Sequence, residues 1–159
     1  MPPDTTGLDH TRAWLTQIAW THTAHNGMPW SPAQWLMDNA LPVQDWSPLP
    51  KGVRRRQPKL CYWNSQQVAK RGRGRYVYCE GYATRMIPVE HAWCLDRETG
   101  LIVDTTWGEG GHAYCGVPVK LAYAQQCFRN DRVSVWDWTG GFPIMTGAVP
   151  VAEWREIIS

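Results

Sequence analysis

The sequence predicts an α+β fold, in which N-terminal helices and a cysteine-bearing helix pack on an antiparallel β-sheet. Apolar residues recur at helical spacing over 8–24, and 61–71 is a second helical stretch that ends at glycines. After Gly74 the apolar period changes to two, in stretches rich in Tyr, Val, Ile and Trp. Helices that precede the strands, rather than alternate with them, favour an α+β layer architecture.

Start and stop signals bound the N-terminal helices. The periodic stretch 8–24 ends at Asn26-Gly27. A shorter helix begins after Ser31, which supplies the cap, with proline at the first helical position and glutamine completing a capping box. We expect this helix to run to about Asn39. Residues 41–59 are proline-rich and basic, and we interpret them as a surface connector that leads to Cys61.

The strands follow the cysteine-bearing helix, which Gly72 and Gly74 terminate. A tight turn at 97–100 separates the second strand from the third. We expect the tail after residue 130 to be irregular. The pattern predicts strands over 75–83, 86–96, 101–106 and 114–119, and a helix over 120–129.

Length and composition are those of one globular domain spanning 1–159. Of the 159 residues, 43% are hydrophobic and 19% are charged, which excludes the disordered class. No apolar run approaches the roughly 18 residues needed to span a bilayer, so we expect no membrane partner. The first residues show neither a basic start nor an apolar stretch. We therefore expect a cytoplasmic location.

The five cysteines predict a reduced protein, because their number is odd, their spacing is wide and no secretory signal is visible. Cys61 differs from the others in its context. It opens the predicted helix, where free N–H groups and the helix dipole stabilise a thiolate, and Lys59 and Arg56 lie nearby in sequence. A buried structural cysteine is the alternative interpretation.

His91 and Asp104 lie on the two arms of a predicted hairpin. If residues 97–100 form a four-residue turn, Trp93 lies opposite Asp104 and His91 becomes its diagonal neighbour on the same face. The carboxylate would then orient the imidazole. A three-residue turn would place the two side chains on opposite faces, and the sequence does not decide between the turns.

Four short motifs resemble a compact transglutaminase-like domain of the papain-like cysteine fold, of a type found in small bacterial and phage proteins. They are Cys-Tyr-Trp-Asn (61–64), Tyr-Cys-Glu-Gly-Tyr-Ala (78–83), His-Ala-Trp (91–93) and Val-Asp-Thr-Thr-Trp (103–107). The resemblance covers about 58–120. It implies that Cys61 is the nucleophile, His91 the general base and then acid, and Asp104 the orienting residue. The domains that large calcium-dependent transglutaminases add are absent, so crosslinking and calcium dependence do not transfer.

The implied activity is that of a cysteine peptidase, amidase or acyltransferase. The thiolate would attack an amide of a protein or peptide-like substrate and form a thioacyl enzyme. The backbone N–H of Cys61 would serve the oxyanion, and no cofactor is required. Further candidates for oxyanion or substrate binding are Gln57, Asn64, Glu80, Tyr82 and Trp93.

Two other interpretations compete with the triad. His-Ala-Trp-Cys (91–94) and His-Ala-Tyr-Cys (112–115) together hold four potential zinc ligands, although strand residues three apart face opposite sides. The second alternative is a non-catalytic binding protein of the same fold. Residues 51–75 hold nine basic residues and no acidic one, which suits an acidic partner. They lack the interleaved aromatics of nucleic-acid motifs, which disfavours a nucleic-acid partner.

Overall fold

The computed structural model describes residues 11–17, 31–42, 46–111 and 113–158. The chain is α+β. Residues 11–17 are helical (α1) and are followed by α2 (Pro32–Asn39) and α3 (Cys61–Arg71). Four strands come next: β1 (Tyr76–Thr84), β2 (Pro88–Asp96), β3 (Ile102–Val103) and β4 (Ala113–Pro118). Helices α4 (Leu121–Arg129) and α5 (Val151–Trp154) complete the described elements.

The predicted order of helices and strands is confirmed from α2 to α4. Ser31 caps α2 by accepting the N–H of Gln34 at 3.1 Å, and proline occupies the first helical position. Of the helix predicted over 8–24, only 11–17 lies within the described residues. The third strand is shorter than predicted, because the chain turns at Asp104. The tail is irregular as expected, except for the single helical turn α5.

The sheet is antiparallel, with the strand order β3–β2–β1–β4. Strand β3 contributes two residues, so in the described part of the chain it pairs with only the last part of β2. The remainder of that edge of β2 is therefore available to other elements. The N-terminus of α3 and the loop after Asp104 lie there, and this edge forms the candidate site.

The two faces of the sheet are covered differently. Helices α2 and α3 pack over one face, where the larger core cluster includes Val68, Tyr78 and Cys94. The other face holds a smaller cluster around Trp93 and Leu95, covered by half-buried loop residues such as Trp107. Burial of this apolar surface supplies the main stabilisation of the sheet. None of the described helices is long and apolar enough to cross a membrane.

Candidate active site

Cys61 is the first residue of α3, and its thiol is half-buried at a cleft of about 480 Å³. The preceding residue, Leu60, provides no side-chain cap. The first N–H groups of a helix have no acceptor within that helix and carry the positive end of its dipole. The prediction that Cys61 lies at the start of a helix is thus confirmed, and its thiol lies beside a cavity that a ligand can enter.

Side-chain and backbone bonds fix the start of α3 against the loop after β3. Asn64 Nδ2 donates to the carbonyl of Gln57 at 2.8 Å and to the hydroxyl oxygen of Thr106 at 3.0 Å. The N–H of Arg56 donates to the carbonyl of Thr105 at 2.8 Å. These contacts connect the residues around the thiol to the turn that carries Asp104.

The register of the hairpin is the one that a four-residue turn at 97–100 requires. Strand β2 pairs with β3 through Cys94 and Val103, and the same register extended by one residue places Asp104 opposite Trp93. His91 therefore lies diagonally across from Asp104 on the same face. Of the two turn lengths that the sequence left open, the structure has the four-residue turn, which brings the two side chains together.

Asp104 is fully buried and accepts four hydrogen bonds. Its Oδ2 accepts from His91 Nε2 at 2.8 Å and from the Tyr114 hydroxyl at 2.9 Å. Its Oδ1 accepts the backbone N–H groups of Thr106 at 3.0 Å and Trp107 at 3.1 Å. These four donors fix the position and orientation of the carboxylate.

The pKa of His91 is raised to about 9, although the residue is only 3% exposed. Burial by itself would lower this pKa. The hydrogen bonds to Asp104 and to Cys61, and the charges of both groups, outweigh burial and raise it. Since Nε2 is bonded to Asp104, Nδ1 is the ring nitrogen left for the thiol.

Two tryptophan rings stack on the imidazole of His91. The ring of Trp107 stacks on His91 with centroids 4.0 Å apart and planes at 16°, and Trp93 lies at 6.3 Å and 23°. An indole face attracts a cation, so this packing also favours the imidazolium. Trp93 is itself buried, and it supports His91 rather than lining the cleft.

The other predicted substrate-binding residues do not reach the cleft. Both amide hydrogens of Asn64 are used in the bonds given above, so the interpretation of Asn64 as an oxyanion donor is wrong. Gln57 contributes its carbonyl to the same anchor, and its side chain is not among the described groups that line the cleft. Tyr82 instead packs edge-on against Trp136 at 5.1 Å.

Glu80 was also expected to border the cleft, and this expectation is wrong because the residue is 1% exposed. Its carboxylate accepts the hydroxyl of Tyr78 at 2.7 Å, the hydroxyl of Ser134, and the N–H of Val135 at 2.7 Å. Burial raises its pKa, while the hydrogen bonds counteract that rise. Glu80 connects β1 to the tail of the chain.

The zinc interpretation finds no support among the described residues. His91 bonds to Asp104, whereas Cys94 points to the opposite face and donates its S–H to the carbonyl of Ser65 at 3.2 Å. No group of three or more His, Cys, Asp or Glu side chains in the described part of the chain is placed to hold a metal. His112, the other histidine of the pattern, lies outside the described residues.

Two residues of the site were not predicted from the sequence. Trp107 closes the Val-Asp-Thr-Thr-Trp motif, so its position beside the aspartate was a usable signal. Tyr114 bonds to Asp104 from β4, which pairs with β1 rather than with the hairpin of β2 and β3. Nothing in the local sequence marks that contact, because it depends on how the strands are ordered.

The thiol of Cys61 and the imidazole of His91 line one accessible cleft, and the carboxylate of Asp104 is hydrogen-bonded to that imidazole, so the three groups form a series. Such a series supplies a nucleophile, a proton carrier and an orienting group. Comparison with protein-family models, curated proteins and solved structures gives no match to this chain. The chemistry of the site is therefore argued from its own geometry.

Proposed function

We propose that the protein is a cysteine hydrolase or acyltransferase that acts on an amide bond through Cys61, His91 and Asp104, on a papain-like, transglutaminase-like core. One observation carries the proposal. His91 and Cys61 line the same cleft, the thiol raises the pKa of the imidazole, and the bond to Asp104 occupies Nε2 of the ring and leaves Nδ1 for the thiol. A histidine that served only as a core residue would have no reason to share a cleft with a thiol.

The reaction begins with transfer of the thiol proton to His91. The Cys61 sulfur attacks the amide carbonyl carbon and forms a C–S bond. The C–N bond then breaks as the imidazolium gives its proton to the departing amine, which leaves a thioester on Cys61. Asp104 remains ionised throughout and holds the ring with Nε2–H toward itself.

The second half of the reaction depends on the acceptor. His91 removes a proton from water or from an amine, and that nucleophile attacks the thioester carbonyl. The C–S bond breaks, and the thiolate is restored with release of an acid or a new amide. The negative oxygen formed in each half lies near the start of α3, where the N–H of Cys61 is an available donor.

Competitive alkylation tests the proposal. At pH 6 a thiol without an activating partner is almost entirely protonated, whereas a thiolate held by imidazolium reacts. We expect iodoacetamide to label Cys61 before the other four cysteines, as read by peptide mass spectrometry. His91→Ala is expected to slow labelling of Cys61 by about a hundredfold. Labelling of all five cysteines at equal rates, or of another cysteine first, contradicts the proposal.

A groove at the other end of α3 favours a second candidate, a binding protein for an acidic partner. The groove has a volume of about 700 Å³, and among the described residues that line it five are basic and none is acidic. Burial and the charge of Arg71 lower the pKa of Arg56, as expected for cations that lie close together. If Cys61→Ala leaves the biological effect intact while Arg56→Gln with Arg71→Gln abolishes it, binding is the function.

A further inference from the structure

Three cations surround the entrance to the Cys61 cleft. Arg55, Lys59 and Arg85 line it, and Glu90 is the one carboxylate among the described residues that do so. In the part of the chain that the structure describes, none of the three cations forms a salt bridge. The cleft therefore keeps an excess of positive charge, which His91 increases when protonated.

Arg85 is held close to the reacting groups. Its guanidinium lies over the ring of Trp107 at 5.5 Å, and the same ring stacks on His91 at 4.0 Å. Arg85 follows directly after β1, and its side chain remains exposed. The indole thus fixes one positive charge a single ring away from the imidazole while leaving its donors free for a ligand.

Arg55 is positioned by a glycine. The side-chain carbons of Arg55 lie against Gly108, where an added Cβ would be 2.9 Å from the Arg55 Cδ. Gly108 also has a φ of +74°, a conformation that favours glycine. Any larger residue would displace the arginine stem from the loop that carries Trp107.

Lys59 occupies a backbone conformation that its own type disfavours. Its φ is +66°, in the left-handed region where glycine and asparagine are preferred. It lies two residues before the nucleophile and lines the cleft. The left-handed backbone is strained for lysine, and the strain occurs at a residue whose charged side chain lines the cleft.

We infer that the substrate carries a carboxylate close to the scissile amide and that Arg55, Lys59 and Arg85 bind it. This inference rests on the proposed function, since it names the substrate class of the same site. The carboxylate is that of an aspartate or glutamate side chain, or the free carboxyl terminus of a peptide. Arginine pairs with a carboxylate through two parallel hydrogen bonds, so it fixes the orientation of the carboxylate as well as attracting its charge.

Two haloacetyl reagents of nearly equal size test the charge of the cleft. Iodoacetate is an anion and iodoacetamide is neutral, so the ratio of their labelling rates at Cys61 reports the local potential and cancels changes in thiol reactivity. We expect this ratio to exceed the ratio at the same cysteine in denatured protein by about tenfold, with about twofold lost for each cation removed. The variants are Arg85→Gln, Arg55→Gln and Lys59→Gly, and Lys70→Gln on the far turn of α3 is the matched control.

The outcomes separate the inference from the proposed function. Rapid labelling by iodoacetamide, with an iodoacetate ratio equal to that of the denatured chain or unchanged in Arg85→Gln and Lys59→Gly, overturns the inference alone. Slow labelling by both reagents counts against the proposed function. Because Lys59→Gly relieves the left-handed strain, a fall in the ratio without loss of thermal stability supports a role for the lysine charge.

Protection experiments identify the source of the carboxylate. Three peptides with blocked amino termini compete with iodoacetamide: one with glutamate side chains and an amidated end, its glutamine counterpart, and a glycine peptide with a free carboxyl end. Protection of Cys61 by the first alone assigns a side-chain carboxylate, and protection by the third alone assigns the chain terminus. Equal protection by the glutamine and glutamate peptides contradicts the inference.

Discussion

Two buried carboxylates, Asp104 and Glu80, lie on opposite faces of the same sheet and have different partners. Both are almost inaccessible, and both accept several hydrogen bonds. The donors to Glu80 are neutral hydroxyl and backbone groups, whereas those to Asp104 include an imidazole that lines the same cleft as the Cys61 thiol. A buried carboxylate therefore indicates a reactive site only when one of its hydrogen-bond partners lines an accessible cleft.

The pKa values of the groups around these carboxylates reflect the same contrast. Burial raises the pKa of Glu80 more than its hydrogen bonds lower it. At His91 the order is reversed, because the bonds to Asp104 and Cys61 outweigh burial and the pKa rises to about 9. Burial thus dominates the pKa on one face of the sheet, and hydrogen bonds and charges dominate it on the other.

The sharpest test exchanges each carboxylate for its amide. Asp104→Asn presents an amide to His91 and favours the wrong tautomer, so we expect labelling of Cys61 by iodoacetamide at pH 6 to slow by about a hundredfold. Glu80→Gln keeps hydrogen-bonding atoms in its neutral network and is the matched control, with a change of about twofold or less. The rates are read by mass spectrometry of the Cys61 peptide. Equal effects of the two variants would remove the distinction between the sites.

The second test follows stability with pH. The folded pKa of His91, about 9, lies above the unfolded value of about 6.5. The imidazolium pair therefore contributes fully below pH 6.5, and this contribution is lost as the pH rises through 9. We expect His91→Gln to remove up to about 3 kcal/mol of unfolding free energy at pH 6 and much less at pH 10.

Urea unfolding of the wild type and of His91→Gln at both values of pH measures this difference. Glu80→Gln serves as the comparison, since Glu80 lies on the opposite face of the sheet and, among the described residues, makes no contact with the His91–Asp104 pair. A loss of stability in His91→Gln that is the same at pH 6 and pH 10 would mean that the histidine is a neutral packing residue.

The smallest expected effect is that of Tyr114→Phe. This change removes one of the four donors to Asp104 and the acceptor for the N–H of Gly111, at a cost of about 1 kcal/mol. Three donors to Asp104 remain, including His91, so we expect labelling of Cys61 to slow by no more than about threefold. Thermal unfolding and the alkylation rate measure the two effects separately. A loss as large as that of Asp104→Asn would make Tyr114 an essential partner of the carboxylate.

The local pattern was sufficient for elements whose signals lie within a few residues. The capping sequence at Ser31 and the glycines after Arg71 predicted α2 and α3, and the turn at 97–100 limited the hairpin to two registers, one of which is observed. Contacts between distant segments were not predictable in this way. Asn64 was misassigned for this reason, because its amide is taken up by Gln57 and Thr106, and the second of these lies 42 residues away.

By itself, the sequence predicted the helix-start cysteine and limited the relation of His91 to Asp104 to two registers, of which the four-residue turn gives the one observed. Both depend on short-range rules, namely where a helix begins and how many residues a turn contains. Only the tertiary structure decided which residues complete the site. The stacking of Trp107, the bond from Tyr114 and the three unpaired cations bring together separate parts of the chain. Such contacts follow from strand order and from the packing of α3 on the sheet, which no local pattern encodes.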